Sequence, residues 1–149
     1  MMQKTCYFIA FMFLSGVAQA QPEINRRLVG IWQCQGYDIT VEVYNKGKFV
    51  HARLINFPCN HKPPVAIKDH KDIHNSNVKM RSRNLQYIDV LWNLEYDGNN
   101  KWTNGRVYLP PLGQVYSASA TLLSANKVKI AGYLGFEFLG SSLDFVRVP

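Results

Sequence analysis

The chain has little cysteine, little charge and no stretch of strong helix formers. Three cysteines occur in 149 residues, and 18% of the residues are charged against 47% that are hydrophobic. This composition excludes an intrinsically disordered chain and supplies enough apolar surface for one core. Aromatic residues make up 13% of the chain, and no long run of Ala, Glu, Leu and Lys has helical spacing. We therefore expect an all-β fold.

The motifs of several common enzyme classes are missing as well. The sequence has no G-x-G-x-x-G, Walker loop, H-E-x-x-H, G-x-S-x-G or C-x-x-C. The best catalytic set would combine His51 or His70 with Asp72 or Asp89 and the hydroxyl of Ser117. Nothing in the sequence holds these groups together. We therefore predict no enzyme activity, no catalytic residues and no cofactor.

The N-terminus has the pattern of a secretory signal peptide. Lys4 precedes an apolar run from Cys6 to Val17, and Ala18-Gln19-Ala20 provides an A-x-A cleavage site. The run is shorter than the roughly 20 residues of a membrane-spanning helix, so no transmembrane anchor is expected. We expect residues 1–20 to be removed and residues 21–149 to form one domain that is secreted or periplasmic.

Two cysteines, Cys34 and Cys59, remain after the predicted cleavage. An exported protein enters an oxidising compartment, so we predict a disulfide between them. Such a bond would contribute about 3 kcal/mol by restricting the unfolded chain. Zinc ligation by this pair with histidines is the minor alternative.

Period-two alternation and turn residues predict eight short strands. They run over Leu28 to Gln35, Asp38 to Tyr44, Lys48 to Asn56, Gln86 to Tyr96, Trp102 to Leu109, Gln114 to Leu123, Lys127 to Leu134 and Ser142 to Val148. All connections but one have hairpin length. We therefore predict a single eight-stranded antiparallel up-and-down β-barrel. The long third connection has room for one helical turn near Val78 to Leu85.

The long connection also carries most of the positive charge of a chain whose net charge is +7. Between Asn60 and Asn84 its charged residues are Lys62, Lys68, Asp69, Lys71, Asp72, Lys79, Arg81 and Arg83. This segment could meet an anionic surface or a host partner, or simply be a solvated loop, and nucleic acid is not an expected partner. His61, His70 and His74 lie in the same segment, but the residues around them are typical of a loop, and no metal site is predicted.

Alternation also predicts which side chains point into the barrel. Phe49, His51 and Arg53 are expected on the outside of the third strand, with an inverted register, which would turn them inward and make a polar binding site, as the alternative. Small inward residues, namely Ala52, Ala118, Ala120 and Gly132, leave volume beside larger aromatic ones, so we expect a cavity, with a filled interior as the alternative. The predicted ligand-binding residues are Val41, Leu54, Val90, Trp92, Tyr116, Ala118 and Ile130.

Gly30-Ile31-Trp32 at the start of the first strand resembles the G-x-W signature of lipocalin-type barrels, the calycin superfamily. The resemblance implies that Trp32 packs at the closed end of the barrel beneath an arginine of the last strand, here Arg147. More of the chain resembles a family of small exported bacterial proteins of unknown function. The segments that carry this likeness are Gly30 to Trp32, Arg81 to Leu85, Val90 to Leu94, Trp102 to Tyr108, Tyr116-Ser117 and Gly132 to Gly135. The resemblance implies a calycin-like barrel with ligand binding and no known reaction, although the long connection departs from classical secreted lipocalins.

The expected function is the binding of a small hydrophobic or amphipathic ligand inside the barrel. An anionic or lipid-like ligand would place its charged end near the basic connection, which would act as a lid at the open mouth. The alternative is a secreted surface or host-interaction protein with a filled barrel that acts through the basic connection.

Overall fold

Eight antiparallel strands close into a barrel in chain order, with each strand hydrogen-bonded to the next and the last to the first. The computed structural model describes residues 20–57, 66–134 and 140–149. Its elements are α1 (Ala20–Asn25), β1 (Gly30–Cys34), β2 (Thr40–Lys46), β3 (Phe49–Asn56), two 3₁₀ turns (Ile67–Asp69 and Val78–Met80), β4 (Asp89–Gly98), β5 (Lys101–Leu109), β6 (Gln114–Ser124), β7 (Lys127–Tyr133) and β8 (Ser141–Arg147). The predicted all-β up-and-down barrel is confirmed.

The first four strands begin later than the alternation predicts, and the cause is clearest for β1 and β4. The Leu28 N–H donates to the Asn25 carbonyl at 3.0 Å, so residues before Gly30 form a turn instead of extending β1. Tyr87 has a positive φ of 65°, and the chain bends there before β4 begins at Asp89. The expected helical turn in the long connection is the short 3₁₀ turn over Val78–Met80.

Inward and outward faces alternate on β3 as predicted. Val50, Ala52 and Leu54 are buried inside the barrel. Arg53 lies outside and donates to the Glu42 carboxylate across the β2–β3 pair at 2.7 Å. His51 also lies outside but is only 6% exposed, because the long connection covers this part of the wall.

Strands β4 and β5 each contain a bulge, and the two bulges lie close together. On β4, Leu91 and Leu94 are three positions apart, yet they pair with Ala52 and Val50, which are two positions apart on β3. β5 has the same irregularity against β6 between its pairs at Trp102 and Gly105. An extra residue reverses which face the following side chains occupy.

Candidate functional site: the barrel cavity

One end of the barrel is closed by Arg147 of β8. Its guanidinium lies 4.2 Å from the centroid of the Trp32 ring. The same group donates to the carbonyls of Val29 at 2.7 Å and Arg27 at 2.6 Å, while the Trp32 indole N–H donates to the Leu28 carbonyl at 2.8 Å. The contact expected between Trp32 and Arg147 is therefore present, and it ties the turn before β1 to the end of the chain.

Gly30 is required by the same contact. Its φ is +138°, and a Cβ at this position would lie 2.7 Å from Nη1 of Arg147. A side chain would both strain the backbone and displace the guanidinium from Trp32. The G-x-W pattern and the distant arginine are thus parts of one structure.

The N-terminal helix adds a second seal at this end. Asn25 is fully buried, and its side-chain oxygen accepts from the indole N–H of Trp102 at 2.8 Å. Its amide nitrogen donates to the Lys48 carbonyl in the β2–β3 turn at 2.9 Å. Ile24 also packs against the core. One asparagine therefore links α1, the interior and a hairpin turn.

The opposite end opens into a cavity of about 430 Å³. Trp32 lies on its surface toward the closed end, and Leu109, Leu112 and Leu134 line it toward the mouth. All of its described lining side chains are uncharged, and the polar ones among them are three tyrosines and Ser141. The full lining is Trp32, Ile39, Val41, Val43, Ala52, Leu54, Phe57, Val90, Leu91, Val107, Tyr108, Leu109, Pro110, Leu112, Tyr116, Val128, Ile130, Gly132, Tyr133, Leu134, Gly140, Ser141, Leu143 and Phe145.

Five of the seven predicted ligand-binding residues line this cavity. They are Val41, Leu54, Val90, Tyr116 and Ile130. Val41, Leu54, Tyr116 and Ile130 face inward as the alternation of their strands predicts, and Val90 lies where β4 first shifts its register against β3. The structure thus brings them together around one space, and their role in binding stays a prediction.

The prediction that Trp92 points into the barrel is wrong. β4 shifts its register against β3 by one residue between Asp89 and Leu91, so that Val90 and Leu91 both line the cavity. A second shift before Leu94, where Asn93 has a φ of 61°, places Leu94 opposite inward Val50. Trp92 therefore lies on the outer wall, where it lines a groove beneath the long connection. Strict period-two reasoning fails here because one extra residue shifts the faces.

Ala118 is inside the barrel but does not line the cavity. It is fully buried and pairs with Gly105, and the next inward residue, Ala120, pairs with Trp102. Trp102 is also fully buried and fills the volume that these small residues leave. Sequence reasoning missed Trp102 as an interior residue, although its alternation with Lys101 at the start of β5 was a usable signal.

The described part of the long connection is held against the outer wall by Asp72. This carboxylate is 1% exposed and accepts from Arg83 through Nε at 2.9 Å and Nη2 at 2.8 Å. It also accepts from the Asn75 amide at 2.8 Å and from the Tyr108 hydroxyl. Burial, together with the bond to Asp72, raises the pKa of Tyr108 to about 12. These contacts connect the loop to β5 through four side chains.

For the described part of the connection, this arrangement corrects the expectation of a basic lid over the mouth. Arg83 is paired with Asp72, Lys71 donates to the Asn84 side chain at 2.5 Å, and Arg81 donates to the Asn75 carbonyl at 2.8 Å. None of the basic side chains described in residues 66–88 lines the barrel cavity. Lys62 lies outside the described residues.

The predicted disulfide is not shown. Cys34 is a free, buried cysteine, and burial followed by nearby Asp144 raises the pKa of its thiol. Cys59 lies outside the described residues, as do residues 1–19 of the predicted signal peptide. Both features stay predictions.

The structure brings together part of the catalytic set considered from the sequence. His51 Nδ1 lies 3.8 Å from Asp89 Oδ2, whereas Ser117 is on β6, three strands away. Within the described residues, no group of three His, Cys, Asp or Glu side chains is placed to hold a metal ion. In the same ranges, no helix has the length and apolar character needed to cross a membrane.

A barrel sealed at one end by a G-x-W tryptophan and a terminal arginine, with an apolar cavity open at the other, is a lipocalin-like barrel. The chain belongs to the family described as "Uncharacterized protein conserved in bacteria (DUF2147)", whose model matches residues 30–147.

The fold is shared with a solved structure from Helicobacter pylori, protein HP1028, which is described as belonging to the lipocalin family. The two chains are 22% identical, with a TM-score of 0.71 over 82% of this chain and 83% of that one. A comparison with curated proteins found no significant match.

Proposed function

We propose that the protein binds a small, mainly hydrophobic molecule inside its barrel. The observation that carries this proposal is the cavity of about 430 Å³ with its apolar lining. Ligand sites of about 300 to 1,000 Å³ are typical of proteins that bind small molecules. Binding without a reaction is proposed because the described lining has no base or charged side chain that could activate one of its hydroxyls.

The lining favours an uncharged ligand over the anionic one first expected. Burying a neutral polar group without a hydrogen-bond partner costs on the order of 2–7 kcal/mol. Burying a carboxylate also costs several kcal/mol unless a cation pairs with the carboxylate. The described lining side chains offer hydroxyls, including those of Tyr116 and Ser141, and these suit an alcohol or an ester. We therefore propose a neutral amphiphile with a long apolar part.

The experiment is a titration with the neutral fluorophore N-phenylnaphthylamine, followed by competition with dodecanol and with dodecanoate. Ile130→Trp should fill the cavity and weaken binding by about tenfold or more, equivalent to at least about 1.4 kcal/mol. Lys129→Trp is the matched control, because this neighbouring side chain is exposed on the outer face. Dodecanol should displace the probe at lower concentration than dodecanoate.

Equal binding by the two tryptophan variants would contradict the proposal. An absence of binding by the wild type to the probe and to a panel of neutral lipids would also contradict it. A surface role through the basic connection would then explain the protein better.

We also propose that the protein is exported, on the strength of the sequence pattern in residues 1–20. The intact mass of material recovered from its source should correspond to residues 21–149. After alkylation under denaturing, non-reducing conditions, Cys34 and Cys59 should remain unlabelled. Recovery of the chain with residues 1–20 attached, or labelling of both thiols, would refute the respective prediction.

A further inference from the structure

The two ends of the barrel differ in the residues at their tips. At the closed end, the hairpin turns over residues 45–48, 97–100 and 124–126 consist of Asn, Lys, Gly, Asp, Ser and Ala, with no large apolar residue. At the open end, the β1–β2, β5–β6 and β7–β8 connections each carry a large apolar side chain in the part that the structure describes. These are Tyr37, Leu112 and Leu134, which are 58%, 57% and 71% exposed.

The exposed leucines continue the apolar surface of the cavity to the outside. Leu112 and Leu134 line the cavity, as does Leu109, which is 36% exposed at the end of β5. The described lining therefore runs from Trp32 to the loop tips without a charged side chain. An exposed apolar surface that joins an apolar cavity in this way is typical of a place where the protein meets another apolar body.

The charges at the open end favour a surface without net charge. Within the described residues of the three short connections, the charged residue is Asp38. In the long connection, Ile67 packs at the mouth, and the charges of its neighbours Lys68 and Asp69 balance. An anionic lipid surface would find no excess of cations on these tips, whereas uncharged apolar tips suit a bilayer without net charge.

The residue types at the tips match the layers of a bilayer surface. Leucine side chains, as at positions 112 and 134, are favourable among acyl chains. Tyrosine has an apolar ring and a polar hydroxyl, and it is enriched at the level of the lipid headgroups. Tyr37 lies outside the cavity lining, so its exposure is not explained by contact with a ligand in the barrel.

We propose that the open end of the barrel docks on the surface of a lipid bilayer without net charge. Leu112 and Leu134 insert among the acyl chains, and Tyr37 lies at the level of the headgroups. The docked mouth opens into the lipid, so an apolar molecule enters the cavity without crossing water. This step rests on the proposed function, whereas docking itself is measured without a ligand.

The first experiment measures binding of residues 21–149 to phosphatidylcholine vesicles by co-sedimentation, because the apolar run before residue 21 would itself bind lipid. Binding should be equal at low and high salt, since apolar insertion is not screened. Leu134→Ser should weaken it by about tenfold, because this leucine no longer leaves water on docking. Tyr37→Ser should weaken it too. Leu123→Ser is the matched control, because Leu123 is 48% exposed on β6 near the closed end.

The second experiment tests the orientation with phosphatidylcholine that carries brominated acyl chains, which quench a nearby indole. Leu112→Trp should lose more fluorescence than the wild type on binding these vesicles, whereas Leu123→Trp should not. A titration with N-phenylnaphthylamine, without vesicles, shows that the cavity of each variant is intact. Loss of probe binding by the wild type would refute the proposed function, and loss of vesicle binding would refute docking.

Three further results would overturn the docking proposal. They are equal vesicle binding by Leu134→Ser and Leu123→Ser, binding that requires anionic lipid and disappears at high salt, and equal quenching of the two tryptophan variants. A dimer in solution that Leu134→Ser dissociates would also overturn it, because a second copy of the chain would then cover the open end.

Discussion

Replacing Asp72 by Asn should release the long connection from the barrel wall. The substitution keeps the size of the side chain but removes the negative charge of the oxygen that accepts from Arg83 at 2.9 and 2.8 Å. It also introduces an amide NH₂ group, which cannot accept a hydrogen bond from the guanidinium. Hydrogen bonds to charged groups contribute about 1.5–3 kcal/mol each. Because the Arg83 side chain is 35% exposed, water replaces part of this loss. We therefore expect a total cost of about 2–3 kcal/mol.

Urea unfolding followed by circular dichroism measures the loss, and amide hydrogen exchange shows where it falls. The Leu85 amide, which donates to the His70 carbonyl at 2.9 Å, reports on the connection itself. If the connection detaches while the barrel stays folded, protection of this amide should fall more than that of the strands. Asp69→Asn is the control, because Asp69 is an exposed acid of the same segment. Identical midpoints and identical protection for both variants would refute the role assigned to Asp72.

Two further substitutions test the closed end and the outer wall. Gly30→Ala should destabilise the protein by about 1–3 kcal/mol because its Cβ would meet Arg147. The control Gly36→Ala should cost less, because Gly36 also has a positive φ but a Cβ there would meet no atom within 4 Å. Equal melting temperatures for the two variants would contradict the steric argument. Burial lowers the pKa of His51 from 6.5, with Asp89 opposing that shift. The unfolded chain therefore takes up the proton first, so stability should fall as the pH drops below about 6.5 and level off below the folded pKa. His51→Gln should flatten this part of the curve of urea midpoint against pH, and an unchanged slope would show that another group is responsible.

The alternation of side chains by itself determined the eight strands, their order and the closure of the barrel. Short turns leave consecutive antiparallel strands only neighbouring positions, so local pattern was sufficient. The closed end was expected from the resemblance of Gly30-Ile31-Trp32 to the lipocalin G-x-W signature, which implied the contact between Trp32 and Arg147. The same pattern placed Val41 and Ile130 on the cavity, because β2 and β7 keep a regular period along these residues.

The tertiary structure alone decided the faces of β4 and β5 and the position of the long connection. The register shift between Asp89 and Leu91 depends on how β4 pairs with β3, and it moved Trp92 from the expected cavity to the outer groove. Asp72 appeared in the sequence as one of two acids among six cations, yet it is the buried acceptor that fixes the connection. A one-residue insertion changes every later face, and a buried charge takes its partners from distant strands. Neither effect has a local signature, because both depend on contacts that exist only after the barrel has closed.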